Sequence, residues 1–428
     1  MKSLIISNSY IPNTWIGRIL IFFLVLTLLS PTIQLTVTHG RTPNTITDFF
    51  VILLPDIGVV SVFMAFLLFV KNKFFKLIIT DYAIISFLII NLVWGGILSD
   101  DLVDALKSIR LTYLPCAFYF IARSWNPDKE EIQKVLNVIF LIFVILAIVG
   151  WIIWLFFPSL TKLFYYYSGH PVATYFIIRM TSILWTPVLF GTLMAWACYF
   201  YYWKFLNSKH FDFFAGLCLI FTFSALVMSV SRGALLSFYL VLIILLPFFK
   251  NWKKSIAIFL VLFSLQSLIS YSLIGKIEMQ SWVFKSTTSA AKLQNKETRV
   301  NRWTQTIEDF KARPQGYGLG NAGAVSFNNN DDENEASLST DGWFLKHACE
   351  TGWIGLISFA LTSIVLLIKL WKNRFYNIDK LGFSVLGLCF IVFIQCFASN
   401  VLDFYPYIAL IWLIIGLSIK EIDFGCVL

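Results

Sequence analysis

The sequence predicts an all-α integral membrane protein of about 12 transmembrane helices, with one long external loop between helices 9 and 10. Three observations carry this reading. Hydrophobic residues make up 58% of the chain and charged residues only 13%, where soluble domains carry about 25% charged residues. The apolar residues fall into repeated runs of roughly 16 to 23, close to what a helix needs to cross the hydrocarbon of a bilayer. A single long polar stretch, Lys276 to Asp341, interrupts them.

In chain order, the runs lie near 15–35, 49–70, 82–98, 135–157, 181–202, 211–230, 234–249, 255–273, 352–368, 381–397 and 404–419, and a shorter one at 111–121 completes about twelve. The segment Trp15 to Leu35 resembles a signal peptide, but the many apolar runs behind it make it a first anchor. The chain is therefore divided into helices 1–9 over 1–273, an external loop over 274–342, and helices 10–12 over 343–428. The seven cysteines lie in or beside apolar runs, and none falls between Lys276 and Asp341. They read as small residues of the membrane core, neither a disulfide framework nor a metal site.

Orientation follows from the excess of Lys and Arg in cytoplasmic loops. With the N-terminus inside, the loops at 71–81, 122–134, 203–210, 250–254 and 369–380 carry 15 Lys and Arg, and those at 36–48, 99–110, 158–180, 231–233 and 398–403 carry 6. Both termini are then cytoplasmic and the long loop lies outside. This distribution accounts for the net charge of +9 without a nucleic-acid partner. The outer run Ser99 to Arg110 reads as an interfacial amphipathic helix, with Leu102, Val103, Leu106 and Ile109 on one side and Asp100, Asp101 and Asp104 toward water.

Several outer residues have chemistry to offer. Arg232, in Ser231-Arg232-Gly233 between two apolar runs, sits at the outer end of both. It is either an anion clamp, its planar guanidinium matching phosphate oxygens, or an interfacial arginine that snorkels. Arg179 opens another outward-facing helix end, and Pro187 within that apolar run predicts a kink. Within the loop, Trp303, Ile307 and Phe310 recur at helical spacing. Arg299 and Arg302 share the first turn of this short amphipathic helix, where they can face one anion or remain solvated. Pro314 ends the helix, and Gly316, Gly318, Gly320 and Gly323 read as a flexible connector. Lacking a preceding strand and a Walker lysine, this glycine run is no nucleotide-binding loop. Asp341, where the chain re-enters the membrane, is a helix N-cap or a general base. His347 lies about 240° around an ideal helix from Asp341 and reads as structural.

Ser231-Arg232-Gly233 before an apolar helix, Arg299-xxx-Trp303, Pro314-x-Gly316-x-Gly318-x-Gly320 and Glu350-x-Gly352-xx-Gly355, in this order, resemble the O-antigen ligase and polymerase family of bacterial envelope glycosyltransferases. Arg179 with Pro187 and Gly191 looks like another of its segments, so the resemblance covers roughly 179–356. It implies metal-independent transfer of a glycan from an undecaprenyl diphosphate carrier at the outer face of the cytoplasmic membrane, with no cofactor. By resemblance Arg232, Arg179, Arg299 and Arg302 would bind the diphosphate, and Arg232 and Asp341 would carry the chemistry. Ligases of the family typically carry His-Asn where this chain has Asp341-Gly342. That departure favours a polymerase of O-antigen, capsular or exopolysaccharide repeat units over a ligase onto lipid A core. The implied partners are the lipid-linked donor and acceptor, the bilayer and a chain-length regulator. A lipid-linked-oligosaccharide flippase is a further reading, but it calls for internal repeats that the sequence does not display.

Overall fold

The computed structural model describes residues 77–160 (without 126 and 128), 179–208 (without 185), 211–272, 299–323, 342–373 and 381–419 (without 398, 400 and 404), with short pieces between 14 and 25. Among these residues the fold is helical and no strand occurs. The helices are α1 (Ile79–Leu98), α2 (Leu102–Ser108), α3 (Ala117–Trp125), α4 (Lys129–Phe156), α5 (Pro187–Asn207), α6 (Phe213–Met228), α7 (Arg232–Leu245), α8 (Trp252–Ser272), α9 (Arg299–Ala312), α10 (Trp343–Asn373), α11 (Leu381–Cys396) and α12 (Tyr405–Ser418). The runs at 15–35 and 49–70 fall largely or wholly outside the described residues.

Each described apolar run becomes helix, because a backbone without water must satisfy its own hydrogen bonds. Among the described residues, four helices are long and apolar enough to cross a membrane: Ile79–Leu98, Glu130–Phe156, Trp252–Ile269 and Trp343–Lys372. The run at 111–121 forms no continuous span. A π-helical turn over Ile109–Tyr113 passes into a 3-10 turn, Leu114–Cys116, before α3 begins. Pro115 has no amide hydrogen to donate and sits in the tighter turn.

Helix α5 is the pillar of the bundle. Residues from Pro187 to Trp203, all but Val188, are buried on every side, and α5 packs on α4, α6, α7 and α11. Gly191 permits one of these approaches: a Cβ there would stand 2.5 Å from Ser231 Cβ and 2.6 Å from Ser229 Oγ. The kink expected at Pro187 is absent. Pro187 takes the first helical position, where the missing N–H is not needed, and the Thr186 side chain caps the helix by accepting from Leu189 N at 3.2 Å.

The described loops separate to two ends. At one end, Asp81 in the first turn of α1 pairs with Arg123 of α3 at 3.0 Å. Arg123 also donates to the Ile419 carbonyl beyond α12, and the Tyr202 hydroxyl of α5 bonds Ser255 near the start of α8. At the other end, Ser99 bonds the Leu319 carbonyl, Met180 N bonds the Met228 carbonyl, and Lys346 bonds Asp403. These are the two sets of loops that the Lys and Arg count assigns to opposite sides. On the second end α2 forms as expected, and its Leu102, Val103 and Leu106 are exposed.

Candidate functional site

The second end gathers most of the residues singled out in the sequence. The turn from α6 to α7, Ser229-Val230-Ser231, is tight: Val230 takes φ 52°, and its N–H bonds the Val227 carbonyl. Arg232 is the first residue of α7 and is exposed. Arg179 lies alongside, half-buried, with Nε donating to the Ser229 carbonyl at 2.9 Å and an Nη to the Val230 carbonyl at 3.2 Å. A guanidinium laid on the carbonyls that end a helix complements the negative pole of α6. The same contact sets the turn from which Arg232 emerges, so the structure brings Arg179 and Arg232 together and gives Arg179 a backbone-holding task.

Position 342 lies on the other side of the α11 terminus. A Cβ on Gly342 would meet the Phe397 carbonyl at 3.0 Å and the Cys396 carbonyl at 3.3 Å. On the α7 side, Gln395 of α11 donates to Ser237 of α7 at 3.2 Å. The C-terminal end of α11 therefore separates the Arg232 turn from the segment that follows Asp341. Asp341 itself lies outside the described residues. Arg299 and Arg302 open α9 as expected, but only their backbone is described.

Helix α9 docks on α10 through Phe310, whose ring stands 4.8 Å from that of Trp353 in a T-shaped pair. Thr306 is buried, while Ile307 of the expected apolar face remains 42% exposed. Burial raises the Asp309 carboxyl above its usual range, and neighbouring Glu308 raises it further.

The glycine run that follows is a packed strap rather than a flexible connector. Tyr317 N and Gly318 N donate to the Cys349 and Glu350 carbonyls at 2.7 and 2.9 Å, and Leu319 N donates to Gly95 O of α1 at 3.1 Å. In return Trp353 N donates to Pro314 O at 3.2 Å. This last bond is available because α10 is broken at Gly352, whose φ of 67° and ψ of −155° are not helical. Gly320 takes φ 89°, and a Cβ there would lie 2.5 Å from the Asp104 backbone, so only glycine fits.

Beneath the strap lies a buried ionic network that the sequence reading did not assemble. Lys346 Nζ donates to Asp403 Oδ1 at 2.6 Å and to Thr112 Oγ1 at 2.8 Å, and Trp343 Nε1 donates to the same Asp403 oxygen at 2.9 Å. One turn on, Glu350 Oε1 accepts from Gly320 N at 3.0 Å and Ser108 Oγ at 3.2 Å. Lys346, Glu350 and Asp403 are all buried. Glu350 Oε2 and both ring nitrogens of His347 have no hydrogen-bond partner among the described residues. His347 sits among Trp343, Phe359 and Phe87, at ring separations of 4.6, 5.1 and 5.4 Å. Two signals could have pointed here: Lys346 and Glu350 one helical turn apart in α10, and Asp403 as the one charged residue of the 398–403 loop.

An apolar recess opens between α5, α10, α11 and α12, running from Cys396 and Leu402 at this end to Trp412 in the middle of α12. No curated protein matches the chain. Residues 217–360 match the family model described as O-antigen ligase. That span holds the Arg232 turn, α9, the strap and Glu350, so the part of the chain that carries these features is similar to the O-antigen ligase family.

Proposed function

We propose that the protein is a polymerase that joins undecaprenyl-diphosphate-linked oligosaccharide repeat units into O-antigen, capsular or exopolysaccharide at the outer face of the cytoplasmic membrane. The observation that carries this reading is the arginine turn: Arg232 leads α7 at the end holding the loops assigned outside, and Arg179 fixes its base. In the reaction, a hydroxyl of the acceptor glycan attacks the anomeric carbon of the donor. The bond from that carbon to the diphosphate oxygen breaks, undecaprenyl diphosphate leaves, and the hydroxyl proton passes to Asp341.

Charge develops on the departing diphosphate, so a fixed guanidinium stabilises the transition state more than the ground state. Arg232 takes this role together with Arg179, Arg299 and Arg302. No metal is required, because the arginines supply the positive charge. The apolar recess is suited to a prenyl-tailed donor, since it offers a hydrocarbon surface beside the polar end. Asp341-Gly342 in place of His-Asn favours chain extension over transfer to lipid A core, whereas the family description keeps the ligase as the second reading.

Deletion of the gene separates the two. Loss of a polymerase leaves single repeat units on lipid A core, and loss of a ligase leaves full-length chains on undecaprenyl diphosphate. Elongation of a lipid-linked repeat unit by purified protein, with neither lipid A core nor added metal, tests the reaction directly. Strict dependence on lipid A core overturns the polymerase reading.

A further inference from the structure

We propose that Glu350, backed by the Lys346–Asp403 pair, is a positioning residue that clamps the glycine strap onto α10 and so fixes the helix start that Asp341 precedes. The claim rests on the polymerase reading for its catalytic consequence, but its structural half stands apart from it.

Four stretches far apart in sequence meet at these three side chains. Glu350 Oε1 takes a hydrogen from the strap at Gly320 and another from Ser108 at the end of α2. Lys346 reaches Thr112 in the π-helical turn and Asp403 in the turn before α12, and Trp343 of the first turn of α10 adds its indole N–H to Asp403. The strap closes the circle at Gly323, where a Cβ would lie 2.7 Å from Asp403 Oδ2 and 3.0 Å from Lys346 Cδ. Buried charges are costly unless paired and hydrogen-bonded, and an ionisable group at membrane depth marks function by default. A network that only filled space could be apolar. This one ties α2, the strap, α10 and the turn before α12 to a single register.

The strap emerges from α9, whose first turn carries Arg299 and Arg302, and α10 begins two residues after Asp341. Clamping strap to helix therefore sets the spacing between α9, which carries the proposed diphosphate-binding arginines, and the start of α10, which the proposed base precedes in sequence. Errors of about 1 Å in such spacing cost roughly 100-fold in rate. Glu350 performs this task as a hydrogen-bond acceptor, not as a proton carrier. Its unpartnered Oε2 makes the second role the one to exclude.

Two substitutions do so in the purified full-length protein in lipid nanodiscs, supplied with an undecaprenyl-diphosphate-linked repeat unit. Glu350→Gln keeps an acceptor oxygen for Gly320 and Ser108 and should retain kcat to within about threefold, whereas Glu350→Leu removes the acceptor and should lower kcat about 100-fold with KM for the donor unchanged. Amide hydrogen exchange over residues 314–323 should accelerate in Glu350→Leu and stay protected in Glu350→Gln. Wild-type kcat in Glu350→Leu overturns the proposal, and so does a Glu350→Gln variant as inactive as Glu350→Leu. Should Glu350→Leu fail to fold, Ser108→Ala decides: kcat should fall about fivefold at constant KM, and an unchanged kcat overturns the clamp. If the wild-type protein elongates nothing, the polymerase reading fails. The exchange experiment needs no substrate and then judges the clamp alone, unaltered exchange in Glu350→Leu overturning it.

Discussion

The Arg232 turn and the Lys346–Glu350–Asp403 network lie at the same end of the molecule and treat charge in opposite ways. Arg232 is exposed on a short turn built from neighbours in sequence, with Arg179 laid on the carbonyls behind it. Lys346, Glu350 and Asp403 are sealed from solvent and reach partners as far as 242 residues away. The first arrangement keeps its arginine exposed at a helix start. The second spends its charges on internal contacts and confers geometry. The arginine proposed to act and the buried residues proposed to hold thus differ in burial.

The two groups are expected to fail differently. Lys346→Met leaves Asp403 buried without its cation and should cost about 3–5 kcal/mol of stability, seen as a lower melting temperature in detergent. Lys346→Met combined with Asp403→Leu should recover most of that loss, because an apolar pair of similar volume removes the uncompensated charge. Arg232→Ala should leave melting unchanged while turnover falls about 100- to 1,000-fold, measured as glycan elongation. Retention of wild-type turnover would remove Arg232 from the site. Asp341→Asn separates base from cap, since asparagine caps helices as well as aspartate but accepts no proton. Turnover should fall by roughly 100-fold or more if Asp341 is the base, at an unchanged melting temperature. The smallest effect is expected for Arg179→Lys. A lysine cannot span both the Ser229 and Val230 carbonyls with one planar fork, and a loss of about tenfold in turnover should follow, with partial retention of donor binding.

The helices were the most legible part of the sequence. The apolar runs at 82–98, 211–230 and 381–397 appear as Ile79–Leu98, Phe213–Met228 and Leu381–Cys396, because hydrocarbon leaves the backbone few alternatives. The short amphipathic segment around Trp303 and Phe310 was equally readable as α9. Conformations chosen by tertiary contact were not. Pro187 looks the same in sequence whether it kinks a helix or starts one, and Thr186 decides the matter through a cap. The glycines of 316–323 suggest freedom when read alone, and their positive φ angles serve close packing against α1, α2 and α10. Of the candidate site, the Arg232 turn is built from consecutive residues and can be read from its motif, whereas the Ser229 and Val230 carbonyls that hold Arg179 lie 50 and 51 residues away along the chain. Glu350 was visible only as part of a motif, and its partners Ser108 and Gly320 become neighbours only once the chain has folded.

The all-round burial of α5 bears on how the protein is made. Its inward surfaces include Trp196, Tyr199, Tyr202 and Trp203, and it keeps no broad lipid-facing side of its own. Such a segment gains little from lipid contact and much from neighbouring helices. Its stable residence in the bilayer therefore waits for α6, α7 and α11, which are synthesised after it. A ribosome-bound chain that stops before α11 should hold α5 loosely and be open to proteolysis there. The scaffold behind the arginine turn is then completed only once α11 has been made, so a chain stopping before α11 would lack part of the support behind that turn.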